Sequence, residues 1–332
     1  MSPLRSTIGD QRSTVSPADR ALMRRLSAVL VFVVALTAVT AQMYRTYAKK
    51  FFDFTGPAHW IWASHQISRN VPVVFFAACD FDLPPHRVYT RIKMIGDPEY
   101  TLYFNGTEVG GRRIGDGRHL DHYDVSKLSR DGKNRILVAV RSANGVGGLL
   151  AGVDIAPEAE NFVTTGEDWK IFRRWTPDLP LRDRGTPERP MLIGDPPTGR
   201  WNYLSLADGI PARPAERVIP PRSAESFVAR VPTVRVVSGV AVAVAVPTRA
   251  TAFDFGPVTG RMRLTLSGTQ AVPPLVRVRF ANHPSELTAI EGEILPFAFG
   301  AGERTLLDPE VRQFRYAIVY GGRATADVVS EN

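Results

Sequence analysis

The sequence is poor in cysteine: Cys79 is the one thiol among 332 residues. A lone cysteine excludes an internal disulfide, a zinc site built from thiolates, an iron–sulfur cluster and a c-type haem attachment site. Cys79 ends the apolar run Val73–Cys79, and a free cysteine in such a setting usually behaves as a small buried hydrophobe. We therefore expect a buried thiol and no cofactor.

Sequence motifs typical of catalytic sites are also absent. No serine or cysteine stands in a recognisable nucleophile setting. The glycines at Gly110–Gly111 and Gly145–Gly148 lack the strand-to-helix context of a phosphate-binding loop. The sequence therefore predicts a protein that is not an enzyme, with no catalytic, cofactor-binding or metal-binding residues.

Long runs of one charge sign are absent, although the formal net charge is +8. The basic residues are scattered, and pairs such as Arg112–Arg113 and Arg173–Arg174 are not interleaved with stacking aromatic residues. This distribution argues against nucleic-acid binding. It is typical of a solvated or membrane-facing basic surface.

One long uncharged segment lies near the N-terminus. Residues 26–44 carry no charge over nineteen positions, with Arg24–Arg25 before them and Arg45 directly after. Such a helix is about 28 Å long, which matches a hydrocarbon core of about 30 Å. The alternative is a cleaved signal peptide, for which Val39–Ala41 supplies small residues. Because the polar tail, residues 1–25, is long for a signal peptide, we predict an uncleaved signal-anchor that contacts membrane lipid.

The flanking cations set the predicted orientation of this span. Five arginines precede it and three cations follow closely, so the positive-inside rule favours a cytoplasmic N-terminus by a small margin. We therefore place residues 51–332 in the periplasm or outside the cell, on a single-pass protein of a bacterial inner membrane.

Residues 51–176 show short alternating apolar runs separated by turn residues, a pattern typical of antiparallel strands. Asn105–Gly106 supplies the two positive-φ positions of a type I′ hairpin turn. Arg135–Arg141 is a further strand, entered through a polar turn. The pattern predicts an all-β domain over residues 51–176.

Four side chains of this domain are candidates for contact with a sugar or a protein partner: Trp60, Trp62, His119 and His122. The two tryptophans are two residues apart on a predicted strand and face the same side. There they can stack on a sugar ring or pack in the core. The two histidines belong to a polar cluster with two aspartates. Without a separated further ligand group, this cluster predicts a polar turn and not a metal site.

A proline-rich segment follows. Ten prolines lie between Pro177 and Pro221, and proline removes backbone donors and fixes φ. We therefore interpret residues 177–222 as a linker without regular sheet. Because Trp201 interrupts it, we expect part of the linker to pack against a sandwich.

Alternating apolar runs return over residues 223–330. Val240–Val246 and Arg261–Leu266 are two examples, and such alternation is typical of a sheet with one face on a core. The pattern predicts a second β-sandwich.

Several short motifs agree in order and spacing with a known arrangement. They are Ala58–Trp62, Tyr100–Gly106, Tyr123–Val125, Gly147–Leu150 and Asp168–Lys170 in the first domain, and Phe253–Gly256 and Val311–Tyr316 in the second. The sequence resembles the accessory N-terminal β-sandwich domains of bacterial α-L-rhamnosidases, the first of which is a galactose-binding-like jelly roll. The resemblance implies an all-β fold of two jelly-roll-like sandwiches. Those enzymes perform their chemistry in a helical barrel that follows the sandwiches, and we expect this chain to lack it.

Two hypotheses of function remain, from different classes. The first is a structural or docking subunit, whose sandwiches pack on the extracytoplasmic face of a larger bacterial membrane complex, respiratory or photosynthetic. The second is a membrane-tethered carbohydrate-binding protein, since galactose-binding-like domains often bind glycans. Fold alone does not carry function. We favour the first hypothesis because no enzyme domain accompanies the sandwiches.

Overall fold

The computed structural model describes most of the chain. The described residues are 17–63, 71–114, 119–157, 159–197, 201, 205–210, 216–237, 240–268, 275–287, 292–321 and 324–331. Most of the predicted polar tail, residues 1–25, therefore lies outside the described residues. The chain divides into two compact units, residues 1–50 and residues 51–332.

The first unit carries most of a long helix, α1, which spans Pro17–Thr55. Its apolar part, Ala21–Thr46, has a mean hydropathy of 2.1 over an uncharged window, and none of that window is buried. The hydroxyls of Thr37 and Thr40 donate to the carbonyls four residues earlier, each at 2.8 Å, so their polar atoms are satisfied within the helix. By length and composition this helix can cross a membrane, a test that a signal sequence also passes.

The second unit is built from strands, which confirms the prediction of an all-β protein behind one N-terminal helix. Its first part is a sandwich of two sheets. The strands are β1 (Trp60–Trp62), β2 (Val73–Leu83), β3 (Tyr89–Asp97), β4 (Glu99–Phe104), β5 (Thr107–Arg113), β6 (His119–Asp124), β7 (Gly132–Ser142), β8 (Gly148–Ala156), β9 (Ala159–Thr164), β10 (Lys170–Phe172), β11 (Met191–Gly194) and β12 (Ser205–Ile210).

One sheet has the order β11-β1-β8-β3-β6-β12, with β9 also on β8, and the other has the order β10-β2-β7-β4-β5. Side chains of both sheets form a shared core that includes Trp62, Phe75, Tyr100 and Val138. The predicted turn joins β4 to β5, with φ of 49° at Asn105 and 90° at Gly106. Both values are positive, as a type I′ turn requires.

Strand β2 is buried on both of its faces. Its residues Val73–Cys79 are all buried, because one face lies in the sandwich core and the other packs against Leu179 and Ala298. This explains why the sequence shows a continuous apolar run there, whereas a strand with one wet face alternates. Burial, with the nearby Asp80 and Asp168 carboxylates, raises the pKa of the Cys79 thiol to about 12.

The second part of this unit is also layered. Its strands are β13 (Glu216–Ile219), β14 (Ser223–Val237), β15 (Val240–Leu266), β16 (Leu275–Ala281), β17 (Leu295–Ala298), β18 (Thr305–Leu307), β19 (Arg312–Tyr320) and β20 (Ala324–Glu331). The 27-residue β15 pairs first with β14 and β19 and then with β20 and β18. A register shift between Asp254 and Val258 marks the change. The two layers are therefore continuous through β15, and they enclose a core that includes Phe253, Leu264 and Phe314.

The sequence predicted a linker without regular sheet over residues 177–222. The structure differs, because this segment contributes strands β11, β12 and β13. The difference has a physical reason, because each of these strands is four to six residues long and lies at an end of its sheet. Strands at such edges tolerate flanking prolines. Trp201 is buried against the first sandwich, as expected from its place in the sequence.

Strands β14 and β15 extend beyond the sheet as a two-stranded ribbon. Pairing runs from Ser223 with Asp254 to Val237 with Val240, whereas the pairing of β15 with β19 begins only at Ala250. Among the described residues, the strand segments 230–237 and 240–247 pair only with each other. We name residues 230–247 the β-arm. At about 3.3 Å per residue each strand of the β-arm is roughly 26 Å long.

Candidate functional site

Trp60 and Trp62 lie in the core of the first sandwich, and neither side chain is exposed. Trp60 stacks on Trp201 with ring centroids 4.2 Å apart, and Trp62 meets Phe75 edge-on. The stack requires a glycine at position 148, where a Cβ would come within 2.7 Å of the Trp201 ring and 2.8 Å of the Trp60 ring. Both tryptophans therefore hold the fold together and offer no ring face to a ligand.

His119 and His122 lie on the same strand, β6, three residues apart, and so face opposite sides of the sheet. His119 contacts the Arg112 guanidinium and lies 3.3 Å from Asp121. The pKa of His122 is lowered, first by burial and then by the positive charge of Arg91. The structure therefore does not bring the two histidines together.

Asp121 is the centre of a buried polar cluster. Its carboxylate accepts hydrogen bonds from the Tyr100 hydroxyl and, at 2.8 Å, from Arg112. Burial raises the pKa of Asp121, although the Tyr100 and Arg112 contacts act in the opposite direction. Its hydrogen bonds tie β6 to β4 and β5, which is a structural role. Among the described residues no group of three histidine, cysteine, aspartate or glutamate side chains is arranged for a metal ion.

The two sandwiches meet at a buried ion pair. Arg141 of β7 donates two hydrogen bonds to Glu303, at 2.6 and 2.7 Å, and the exposed fraction of each residue is 4%. Glu303 also accepts from the Gly300 amide at 2.5 Å. Burial disfavours the charged form of Arg141, but Glu303 and Glu99 together raise the pKa of Arg141. The contact is therefore bidentate and directional.

A second arginine, Arg113, also contacts both sandwiches. Glu99 of β4 lies 3.8 Å from the Arg141 Nε and accepts from Arg113 at 2.7 and 2.9 Å. The Arg113 guanidinium lies over the Phe297 ring of β17, 4.6 Å from its centroid. Burial raises the pKa of Glu99, against the effect of the two arginines. Charged groups thus join one sheet of the first sandwich to the second sandwich.

A cleft opens beside this junction, with a volume of about 410 Å³. Its apolar wall is the Trp175 ring, which packs 5.5 Å from Tyr103 and 5.3 Å from Phe76 between ring centroids. Trp175 is held by its backbone N–H, which donates to Ala301 at 2.8 Å. Gly302 has a φ of 86°, and a Cβ there would meet the Trp175 carbonyl at 2.6 Å. A glycine is therefore needed for the chain to form this wall.

The polar wall of the cleft carries charges of both signs. Its charged lining residues are Glu108, Arg141, Arg263, Glu303 and Arg304. Glu108 lies 3.5 Å from Arg261, and Arg263 donates to Asp327 at 2.9 Å. Arg304 is exposed and its side chain forms no ion pair or hydrogen bond with the described residues. Among the described lining residues, Arg304 is therefore the free cation of the cleft that also contains the Trp175 ring.

Sequence reasoning did not find the cleft or the junction. Arg141 and Glu303 are 162 residues apart, so no local spacing links them, and Trp175 stands at the end of the first domain beside two arginines. One signal was available. Trp175 is a large aromatic residue at the junction with the proline-rich segment, and tryptophan is enriched at interfaces.

These elements define the class of the protein: two packed β-sandwich bodies behind one apolar helix. No family model matches the sequence, and no curated protein matches it.

Solved structures with a similar fold include two bacterial α-L-rhamnosidases. The enzyme of Dictyoglomus thermophilum shares 19% identity at a TM-score of 0.48, over 83% of this chain and 36% of that one. The Streptomyces avermitilis enzyme, complexed with L-rhamnose, shares 16% identity at a TM-score of 0.46, over 79% of this chain and 29% of that one. This chain thus spans about a third of their length. The resemblance named from the sequence is confirmed, and it concerns the fold alone.

A lectin of Pleurotus ostreatus, in complex with GalNAc, is also similar. It shares 13% identity at a TM-score of 0.41, over 84% of this chain and 80% of the lectin. This similarity, too, concerns the fold.

Proposed function

We propose that this chain is a non-catalytic, single-pass membrane protein that acts as a docking subunit of a larger bacterial membrane complex. In this proposal α1 is an uncleaved anchor with a cytoplasmic N-terminus, and residues 51–332 lie on the extracytoplasmic face. A respiratory or photosynthetic complex is the kind of host that we propose. The observation that carries the docking role is the β-arm.

The β-arm consists mostly of apolar residues, a composition that is unfavourable for a two-stranded ribbon surrounded by water. The β-arm contains two charged side chains, Arg230 and Arg235, and Val240–Val246 alternates valine and alanine. A two-stranded ribbon is marginally stable in water, and three or more strands or a packed partner are needed for independent stability. Strand edges without a hydrogen-bonded neighbour also invite association. A protein partner that covers the β-arm supplies both the missing contacts and the apolar surroundings.

The anchor is tested by charge substitution in the full-length protein. Val33→Arg together with Val34→Arg places two cations near the centre of α1, at a cost of about 2.5–3.5 kcal/mol each on insertion scales. We expect the wild-type protein to stay in the membrane pellet after alkaline carbonate extraction and the double variant to be released. Leu22→Arg is the matched control, since a cation near the helix end can reach the head groups. A mature protein whose measured mass lacks α1 would contradict the anchor.

The docking role is tested by shortening the β-arm. Replacing residues 232–245 by Asn-Gly joins Val231 to Val246, which are paired in the ribbon, through a type I′ turn. We expect full-length protein from its native membrane, in mild detergent, to elute with a stoichiometric partner. The shortened variant should keep its fold, judged by circular dichroism, and elute alone.

Two results would count against docking. One is a wild-type protein that elutes as a monomer without a partner. The other is a partner that stays bound at full stoichiometry after the β-arm is shortened. The helix variant above serves as a control, because it separates loss of the membrane from loss of the partner.

A further inference from the structure

The cleft between the two sandwiches has the composition of a small-molecule site. Its volume of about 410 Å³ lies in the range of roughly 300–1,000 Å³ that is usual for such sites, which combine an apolar wall with a few placed polar groups. Four of the five tryptophans of the chain are buried. Trp175, in the cleft wall, is the half-buried one.

We propose that this cleft binds a saccharide that carries a carboxylate, such as a uronic acid residue. The apolar C–H face of the sugar ring packs on Trp175, and the carboxylate pairs with Arg304. The proposed carbohydrate site differs from the residues that the sequence indicated. The proposal is independent of the docking role of the β-arm.

The charges of the cleft select this ligand class. An arginine forms charge-assisted, bidentate hydrogen bonds with a carboxylate, and Arg304 has no competing partner among the described residues. Glu108 and Thr101 line the same cleft and can accept hydrogen bonds from sugar hydroxyls. The other charges of the lining are paired, so Arg304 balances one negative charge, whereas a dianionic phosphate carries a second that no free cation of the described lining balances. A nucleotide, which also combines a ring with an anion, therefore fits less well.

The rigid base of the cleft favours binding without rearrangement. Glu303 is held by Arg141 and by the Gly300 amide, and the Trp175 backbone is fixed by Ala301. The Trp175 wall and the backbone of Arg304, whose carbonyl accepts from the Leu266 amide at 2.8 Å, thus belong to one framework that exists before a ligand arrives. Binding to a preformed site avoids much of the entropy loss of ordering loops.

Tryptophan fluorescence provides a direct measurement. The full-length protein in lipid nanodiscs, which avoid sugar-based detergents, is titrated with digalacturonate, with the neutral galactose disaccharide and with a nucleoside monophosphate. Acrylamide is the quencher, because an anionic quencher would compete at Arg304. We expect digalacturonate to protect the quenchable tryptophan in a saturable way, and the other two compounds to have no such effect.

Substitutions in the cleft test whether the protection from acrylamide quenching arises from binding there. Arg304→Ala should weaken binding about tenfold or more, as expected for the loss of a charge-assisted hydrogen bond. Arg189→Ala, at another exposed arginine, is the matched control and should bind as the wild type. Trp175→Phe keeps a ring against Phe76 and Tyr103, and should remove the quenchable fraction and weaken binding measured by calorimetry.

Three results would overturn the proposal: no saturable binding of digalacturonate, equal binding of the neutral disaccharide or the nucleotide, or unchanged affinity in both cleft variants. None of them affects the docking role, which is measured through the β-arm and the partner.

Discussion

Replacing Glu303 by alanine is expected to lower the free energy of unfolding of residues 51–332 by about 3–5 kcal/mol. The substitution removes the carboxylate that Arg141 hydrogen-bonds, leaving Glu99 at 3.8 Å as the nearest remaining carboxylate, and also frees the Gly300 amide. A buried charge without a partner is far more destabilising than the intact pair is stabilising. Chemical denaturation of the full-length protein measures the loss, and tryptophan fluorescence reports residues 51–332 alone, since all five tryptophans lie there.

The double variant Arg141→Met with Glu303→Leu separates charge from packing. Replacing both partners by apolar side chains of similar volume removes the unpaired charge, so we expect a smaller loss than for Glu303→Ala, about 1–3 kcal/mol, which comes from the Gly300 amide that still lacks its acceptor. Glu188→Ala, at an exposed pair with Arg173, is the matched control and should change stability little. If Glu303→Ala also changed stability little, the contact between the sandwiches would not depend on this pair.

The second large effect is expected from Trp201→Ala. The substitution removes the ring stacked on Trp60 and the Trp201 Nε1 donor, which lies 2.6 Å from the Asp97 carboxylate. The deletion of a buried tryptophan side chain lowers stability by about 3–5 kcal/mol. Denaturation of the full-length protein measures the total, and limited proteolysis should show new cleavage within residues 177–222.

Trp201→Phe tests which part of the side chain is responsible. Phenylalanine keeps a ring against Trp60 but cannot donate to Asp97, which is itself buried. We expect a loss of about 0.5–1.5 kcal/mol, the usual net contribution of one hydrogen bond, and little new proteolysis. Equal losses in the two variants would mean that the stack contributes nothing beyond the hydrogen bond.

Local sequence patterns predicted the fold class well, because turn preferences and hydropathy depend on residues that are close together in the chain. Asn105–Gly106 has the backbone preferences of a type I′ turn wherever it occurs, and the turn joins β4 to β5 as predicted. The helix also followed from an uncharged run, although it extends beyond residues 26–44 to Pro17–Thr55. Hydropathy marks the part that favours lipid, whereas the helix itself continues for as long as the flanking residues tolerate helical backbone.

Contacts between distant parts of the chain determined two features that local patterns could not predict: the residues that cover the tryptophans and the strands of the proline-rich segment. The alternation of Trp60 and Trp62 predicted one shared face of a strand, but the pairing of β1 shifts register between Trp60 and Ile61. Trp62 packs on Phe75, whereas Trp60 is covered by Trp201, which is far along the chain. Prolines argued against sheet over residues 177–222, yet short strands at sheet edges avoid the interior positions that proline disrupts.

The cleft was beyond sequence reasoning for the same reason. Its aromatic wall comes from the end of the first sandwich, whereas Arg304 and Glu303 come from the second. No spacing rule joins residues more than a hundred positions apart. The candidates Trp60, Trp62, His119 and His122 were chosen by residue type, and residue type does not report exposure.

The pairing of β1 with β11 has a consequence for biosynthesis. β1 ends at Trp62, whereas its neighbour β11 begins at Met191 and the ring that covers Trp60 comes from Trp201. At about 5–20 residues per second, roughly 6–28 s separate the emergence of these partners from the ribosome. During that interval a nascent chain shows an open strand edge and an uncovered indole, features that recruit chaperones. A chain that stops at residue 176 would keep both indefinitely.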